Sequence, residues 1–408
     1  MVCVRSFCAI RPRKDMVEEV SALPYDVMST SEAREMVKGK PYSFLRISRP
    51  EVEFDEDLEF NADCMYTKTA ENLQKFLKDG VLVEDKEPTI YLYREIMGDH
   101  SQTGIVACAH IDDYIEGRIK RHEFTRKDKE DDRSRHVDVA NAHTGPVFLA
   151  FRDNQRLADL IAADSQKATI YDFVSDDGIR HTVWQVADPK AYEDAFEAID
   201  ATYIADGHHR AASAVRVGTE RRAKAADPKA DAPYLHFLAV FFPASTLKIM
   251  PYNRVLKDSQ NRSTKELLDL IAKEGELVET TEKSPKKQGT YCIYIDKKWY
   301  KLTIPADTIP SDPVGSLDVD MLQKRILSPI FGIEDPRTDK RIDFVGGIRG
   351  TDELERRVDS GEMRLAISMY PTQIGQIFDV ADSGKVMPPK STWFEPKLRS
   401  GLFVHSLG

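Results

Sequence analysis

The string Asp206-Gly207-His208-His209-Arg210 gathers several reactive side chains on consecutive residues. It lies between a short apolar run, Tyr203-Ile204-Ala205, and a stretch with helical spacing from Arg210 to Arg222. A strand-to-helix turn leaves the first helical N–H groups without intrahelical partners and aims the positive end of the helix dipole at the turn. Anions bind at such ends. Gly207 permits close approach of a ligand to the backbone. The rigid fork of Arg210 matches two oxygens of a phosphate. His208 and His209 can donate to the same anion or move a proton near neutral pH. Asp206 can cap the helix, fix a histidine tautomer or help to hold magnesium. On the residues alone, an anion site, a structural turn and a metal site all stay open. Adjacent histidines diverge along a helix, which works against their sharing one metal. The chain contains neither His-Glu-x-x-His nor a glycine-rich phosphate loop ending in Lys-Ser or Lys-Thr.

A second cluster sits in the most charged stretch, residues 118 to 135. Its signs alternate closely, as on a solvated helix, yet Arg121 is followed by His122 and Glu123, which interrupt a basic run. If the region is helical, Arg121 and Thr125 share a face, as do Lys129 and Arg133. Glu123 and His122 are candidate general bases. The cluster reads either as a salt-laced surface or as the rim of an active site, and the latter reading places Arg121, His122 or Glu123 in one cleft with His208 or His209. Weaker candidates are Asn253 and Arg254, just past a hydrophobic strand, and Lys390, which opens the string Lys390 to Leu398 with Trp393 and Phe394 in it. Packing of that string against another part of the chain is the plain alternative.

The elements that must position these groups alternate in type. Helices are expected over 31–37, 69–78, 157–163, 191–199, 210–222 and 264–272, and from an Asp318 cap over Leu322, Ile326 and Leu327. Strands are expected at 44–47, 90–94, 104–109, 147–151, 203–205, 235–242 and 365–369. Two hairpins are expected, 169–174 with 180–186 across Ser175-Asp176-Asp177-Gly178, and 291–295 with 299–302. Residues 281–290 read as loop. This order indicates a mixed α/β (α+β) class.

The chain has 408 residues, more than one ordinary core accommodates. Three segments are expected: a mixed α/β N-terminal domain over 1–150, a core over 151–250 carrying the 206–210 turn, and a C-terminal α/β region over 251–408 that packs back on the core. The formal charge of -10 argues against a broad nucleic-acid surface. Five widely spread cysteines argue against a disulfide framework, and Cys3 with Cys8 lacks a second pair to complete a zinc site. Basic residues Arg5, Arg11, Arg13 and Lys14 interrupt any apolar leader, and no run approaches the length that spans a bilayer. A cytoplasmic location is the expectation, with no membrane partner and a homo-oligomer left open.

Over nearly its whole length the chain resembles the bacterial and archaeal family of domain of unknown function 1015. The resemblance is carried by Leu23 to Val27, Lys120 to Thr125 with Lys129 to Arg133, Tyr203 to Arg210, Leu247 to Arg254 and Met387 to Leu402. That family brings no settled activity. The Asp-Gly-His-His-Arg string also resembles a turn of the wider ParB and sulfiredoxin superfamily, which includes nucleotide-dependent kinases of free serine. Asp206, Gly207, His209 and Arg210 match that motif, with His208 at its variable place. The resemblance implies a ParB-like substructure around residues 169–242. It also implies a small-molecule phosphotransferase using ATP or ADP with Mg2+, its partner a small anionic or phosphorylated ligand. Gly207, Arg210, Arg121, His122, Asn253, Arg254 and Lys390 are then binding candidates. His209, His208, Glu123 and Asp206 are catalytic candidates, and Asp206 is the metal candidate. A phosphoester hydrolase, acting for example on phosphoserine, and a non-enzymatic nucleotide-sensing regulator are the competing readings.

Overall fold

A computed structural model describes residues 1–55, 62–258 and 260–408. The class is mixed α/β, as the alternation of elements implies. The chain forms two compact units, one of residues 1–247 with 396–408 and one of residues 248–395.

The first unit is built on a nine-stranded sheet among the described residues. Across it run Ile119–Lys120, Thr202–Asp206, Val147–Phe151, His236–Pro243, His100–His110, Tyr91–Met97, Arg180–Gln185 and Tyr171–Val174, with Val4–Arg5 added beside His100–His110. Val147–Phe151 and His236–Pro243 are buried nearly end to end, which is why they read as continuous apolar runs. The core on this sheet collects Leu92, Ile105, Leu149, Phe151, Trp184, Phe196, Ile204 and Phe241. A second core holds Phe44, Leu45, Ile47, Leu73, Phe76 and Val404. A four-stranded sheet, Leu82–Glu84, Ala9–Pro12, Val404–Ser406 and Ala142–His143, completes the unit. Strands from both sides of residue 150 share the large sheet, and Val147–Phe151 crosses the boundary expected there. Residues 1–247 therefore form one compact unit together with 396–408.

The second unit has a six-stranded antiparallel sheet, Glu276–Thr280, Lys298–Thr303, Thr290–Ile295, Leu365–Met369, Tyr252–Leu256 and Ile342–Gly346. Its core includes Val255, Cys292, Tyr294, Trp299, Val345 and Leu354.

Both expected hairpins form, and Ser29 caps the helix Thr30–Met36 with a full capping box. Three expectations fail for physical reasons. Residues 44–47 form a helix, Leu45–Ser48, and not a strand. Phe44, Leu45 and Ile47 bury equally well from a helical turn, so a short apolar run cannot distinguish the two. Residues 121–126 are irregular, with the helix confined to Lys127–Ala140, so Arg121 and Thr125 share no helix face. Asp318 is the first residue of its helix and caps nothing; its carboxylate accepts from Gly289 N–H at 2.7 Å. The helix Ile374–Asp382 and the strand Glu276–Thr280 were not anticipated.

Candidate functional site

The turn at residues 206–210 joins the buried strand Thr202–Asp206 to the helix His208–Lys224. Gly207 is the hinge, with φ of 92° in the left-handed region that an L side chain resists. It also leaves room, because a Cβ there would lie 3.0 Å from Cζ and Nε of Arg210. The helix has no side-chain cap at this end. It is anchored through Ala211, Ala214, Val215 and Val217, which are buried.

Arg210 folds back from the first helical turn. Its Nη2 donates to Asp206 Oδ2 at 2.7 Å and lies 3.9 Å from Asp26 Oδ2, and its Nη1 donates to the Pro146 carbonyl. The internal partner that a cation at a helix N-terminus requires is thus present in Asp206. Burial opposes the Asp206 charge, but Lys397, Arg210 and His208 hold its carboxyl down at about 2. Burial likewise opposes the Arg210 charge, and Asp26 and Asp206 outweigh it.

The irregular stretch 121–126 meets this turn. His122 N–H donates to His208 Nε2 at 3.4 Å. The two imidazoles lie edge to face, with ring centres 4.6 Å apart. His208 Nδ1 is 3.7 Å from Glu123 Oε2. With Nε2 accepting from the backbone, the neutral ring carries its proton on Nδ1, facing Glu123. Both histidines are neutral at pH 7. Burial lowers His122 to about 4 and takes His208 well below the imidazole range, with His122 adding to the effect. His209 is lowered by burial too, though Asp26 opposes the shift. Arg121 lies over the Tyr114 ring at 5.6 Å. Phe124, next to Glu123, is 77% exposed. Arg121, His122 and Glu123 therefore share one neighbourhood with His208.

Three binding candidates lie in the second unit. Asn253 is buried, and its Oδ1 accepts from Met369 N–H at 2.9 Å. Arg254 is buried over the Phe344 ring, donates to the Tyr252 and Lys390 carbonyls, and is lowered to about 10 by burial. The Lys390 Nζ sits 5.4 Å from the Tyr252 ring centre. Asn253 and Arg254 thus bind backbone groups of their own unit. Phe394 is buried and Trp393 packs on Tyr252, so this string packs internally.

Sequence reasoning missed several contributors to the first-unit site. Asp26 entered the sequence reading only within the Leu23 to Val27 string and Arg133 only as a member of the charged cluster, while His136, three residues from Arg133 on the helix Lys127–Ala140, and His143 did not enter it. Among the described residues, the side chains that converge as a metal would require are His110, Asp231 and His236, whose ligand atoms lie within 4.8 Å of one another. Asp206 is not among them. His110 Nδ1 already accepts from Asp112 N–H, and His236 Nε2 bonds to Asp231 at 2.8 Å.

No curated protein matches the chain. Solved structures similar to it include a free serine kinase variant in complex with AMP, at 14% identity and TM-score 0.38, covering 73% of this chain and 92% of that one. SbnI with a C-terminal truncation, from Staphylococcus aureus, is similar at 10% identity and TM-score 0.40, covering 74% and 87%. A conserved hypothetical protein from Pyrococcus furiosus is similar at 14% identity and TM-score 0.35, covering 74% and 95%. The model of one family matches residues 4–320, a span that takes in both the turn and the stretch at 121–126. This chain belongs to that family, the proteins of unknown function designated DUF1015.

Proposed function

We propose that the chain is a nucleotide-dependent phosphotransferase acting on a small hydroxyl substrate, free serine being the first candidate. The observation that carries this reading is the meeting of Glu123 and His208, with their facing atoms 3.7 Å apart, at a helix start that also carries Arg210 and an ionised Asp206. Phosphoryl transfer depends on positioning and charge neutralisation more than on covalent chemistry. Arg210 and the open helix N-terminus would hold phosphate oxygens. Glu123 would accept the proton of the substrate hydroxyl, with His208 orienting it through Nδ1–H. His209 would donate to the transferring group. Asp206 fits a magnesium role in part: it stays ionised, but Oδ2 is engaged by Arg210, so a metal would use the other oxygen together with phosphate and water. The motif match at Asp206, Gly207, His209 and Arg210 supports a nucleotide as phosphate source, and the ParB-like reading of residues 169–242 belongs to the same proposal.

Calorimetry with ATP, ADP and phosphoserine on wild type and Arg210→Ala, beside thermal melts, tests it. Loss of a buried charged contact to phosphate is expected to cost about 2–5 kcal/mol of binding. Equal binding by wild type and variant would remove the assignment. Product analysis with and without nucleotide separates transfer to a hydroxyl from hydrolysis of a phosphoester.

A further inference from the structure

We propose that a partly open cavity lined by Tyr25, Arg133, His136, His143, Gly145 and Arg210 binds the oxyanion of a small substrate, a carboxylate or a phosphate. The inference rests on reading Arg210 as a ligand-binding residue and adds a second anchor beside the turn.

The cavity measures about 30 Å³, more than the roughly 10–15 Å³ one water needs by this measure. Its walls hold polar atoms that no protein group satisfies. His136 and His143 are 2% and 5% exposed. His136 Nε2 bonds to Thr144 Oγ1 at 3.0 Å, while its Nδ1 has no protein partner. Neither ring nitrogen of His143 has one. The Arg210 Nε–H, which can only donate, also lacks one. Buried polar groups are rarely left this way in a finished site.

The charge on the walls selects the occupant. Two arginines, Arg133 and Arg210, line the cavity, ion-paired with Asp132 and Asp206 respectively. Among the described lining residues none is acidic. Arg133 is fixed on both sides, over the Tyr25 ring at 4.3 Å and against Asp132 Oδ2 at 2.7 Å, so it cannot turn away. Burial keeps both histidines neutral, Arg133 adding to the effect at His136 and His405 at His143. A neutral imidazole offers one N–H and one lone pair. An oxyanion accepting from Arg210 Nε–H and from the two rings would satisfy the donors that are otherwise unpaired. In the proposed transfer reaction, this is the place for a charged group that the substrate carries in addition to its hydroxyl.

Gly145 supplies a test that spares the fold. A Cβ there would meet Ser400 Oγ at 3.6 Å and Arg210 Cδ at 3.7 Å, ordinary contact distances. Gly145→Ala therefore narrows the cavity without a clash. Calorimetry of the full chain with inorganic phosphate and with acetate, on wild type, Gly145→Ala and His143→Phe, reads the site directly, and thermal melts confirm folding. Binding of one anion by wild type, weakened at least tenfold in Gly145→Ala with an unchanged melt, is the expected result. Which anion binds distinguishes phosphate from carboxylate. Should carboxylate bind, L-serine is expected to bind at least tenfold more tightly than ethanolamine, which lacks that group. If wild type binds neither anion, or if both variants bind as wild type does, the cavity holds water and the inference is wrong. The two proposals fail separately. Nucleotide binding that depends on Arg210, with no anion response at Gly145, would overturn only the cavity. Anion binding that responds at Gly145, with no nucleotide binding or turnover, would overturn only the phosphotransferase.

Discussion

At the residue scale, burial and partner choice decide which groups carry charge. Glu123 faces a histidine whose proton position is set by a backbone N–H, which suits a carboxylate that must accept a proton. Glu123→Gln is expected to lower turnover about 100-fold or more with nucleotide affinity within twofold of wild type. An unchanged rate, with binding intact, would assign the base elsewhere. The buried imidazoles also set a pH dependence. His122 titrates at about 4 in the folded chain, against about 6.5 unfolded. Between these values the unfolded chain binds more protons, so stability is complete above about pH 6.5 and is lost as pH falls toward 4. His122 alone accounts for about 3 kcal/mol across that window. In urea titrations from pH 4.5 to 7.5, His122→Asn is expected to flatten the slope below pH 6.5 by up to about 1.4 kcal/mol per pH unit and to leave it unchanged above. An identical slope would show that another group takes up the proton. At this scale, what could be read from the sequence was what lies in one string. Asp206 to Arg210 stand at consecutive positions. Arg133, His136 and His143 are brought to Arg210 by the docking of a charged helix and a two-residue strand, and nothing in their spacing announces it.

At the element scale, the turn works because one residue accepts a left-handed backbone. Gly207→Ala is expected to cost about 1–2 kcal/mol in backbone strain. It should also displace the Arg210 guanidinium, which lies 3.0 Å from the new methyl position. The prediction is a larger loss in phosphate-ligand affinity than in stability, read by calorimetry beside denaturant melts; equal losses would make the turn purely structural. Hairpins were readable in advance because turn chemistry and strand alternation agree over a few residues, as at Ser175 to Gly178. The helix at Leu45–Ser48 was not, because the four residues 44–47, with Phe44, Leu45 and Ile47 apolar, fit either period. Strand order was beyond reach for another reason. Thr202–Asp206 sits between Ile119–Lys120 and Val147–Phe151, partners separated from it by more than fifty residues. The first pairing is what carries residues 121–123 toward the turn.

At the scale of the whole molecule, two cores on separate sheets give two reporters. Trp184 is buried in the first and Trp299 in the second. Leu302 is fully buried in the second unit, and Leu302→Ala is expected to cost about 2–5 kcal/mol there. In single-tryptophan variants, the Trp299 transition should move to lower denaturant while that of Trp184 holds. Coincident shifts would mean that the units unfold as one. The class and the presence of more than one unit were readable from length and element order, but the return of residues 396–408 to the first unit was not, since thirteen residues carry no signal of which body they join. That return has a consequence for a chain made from one end to the other. Val404–Ser406 lies in the interior of its four-stranded sheet, between Ala9–Pro12 and Ala142–His143. Until it leaves the ribosome, the backbone edges of both neighbours stand open. The residues of the second unit, by contrast, all precede that strand in the chain. His143 lies on one of those waiting edges and Ser400, just upstream of the missing strand, lines the same cavity. The four-stranded sheet, and the cavity that His143 and Ser400 line, therefore close only once residues 400–406 are in place.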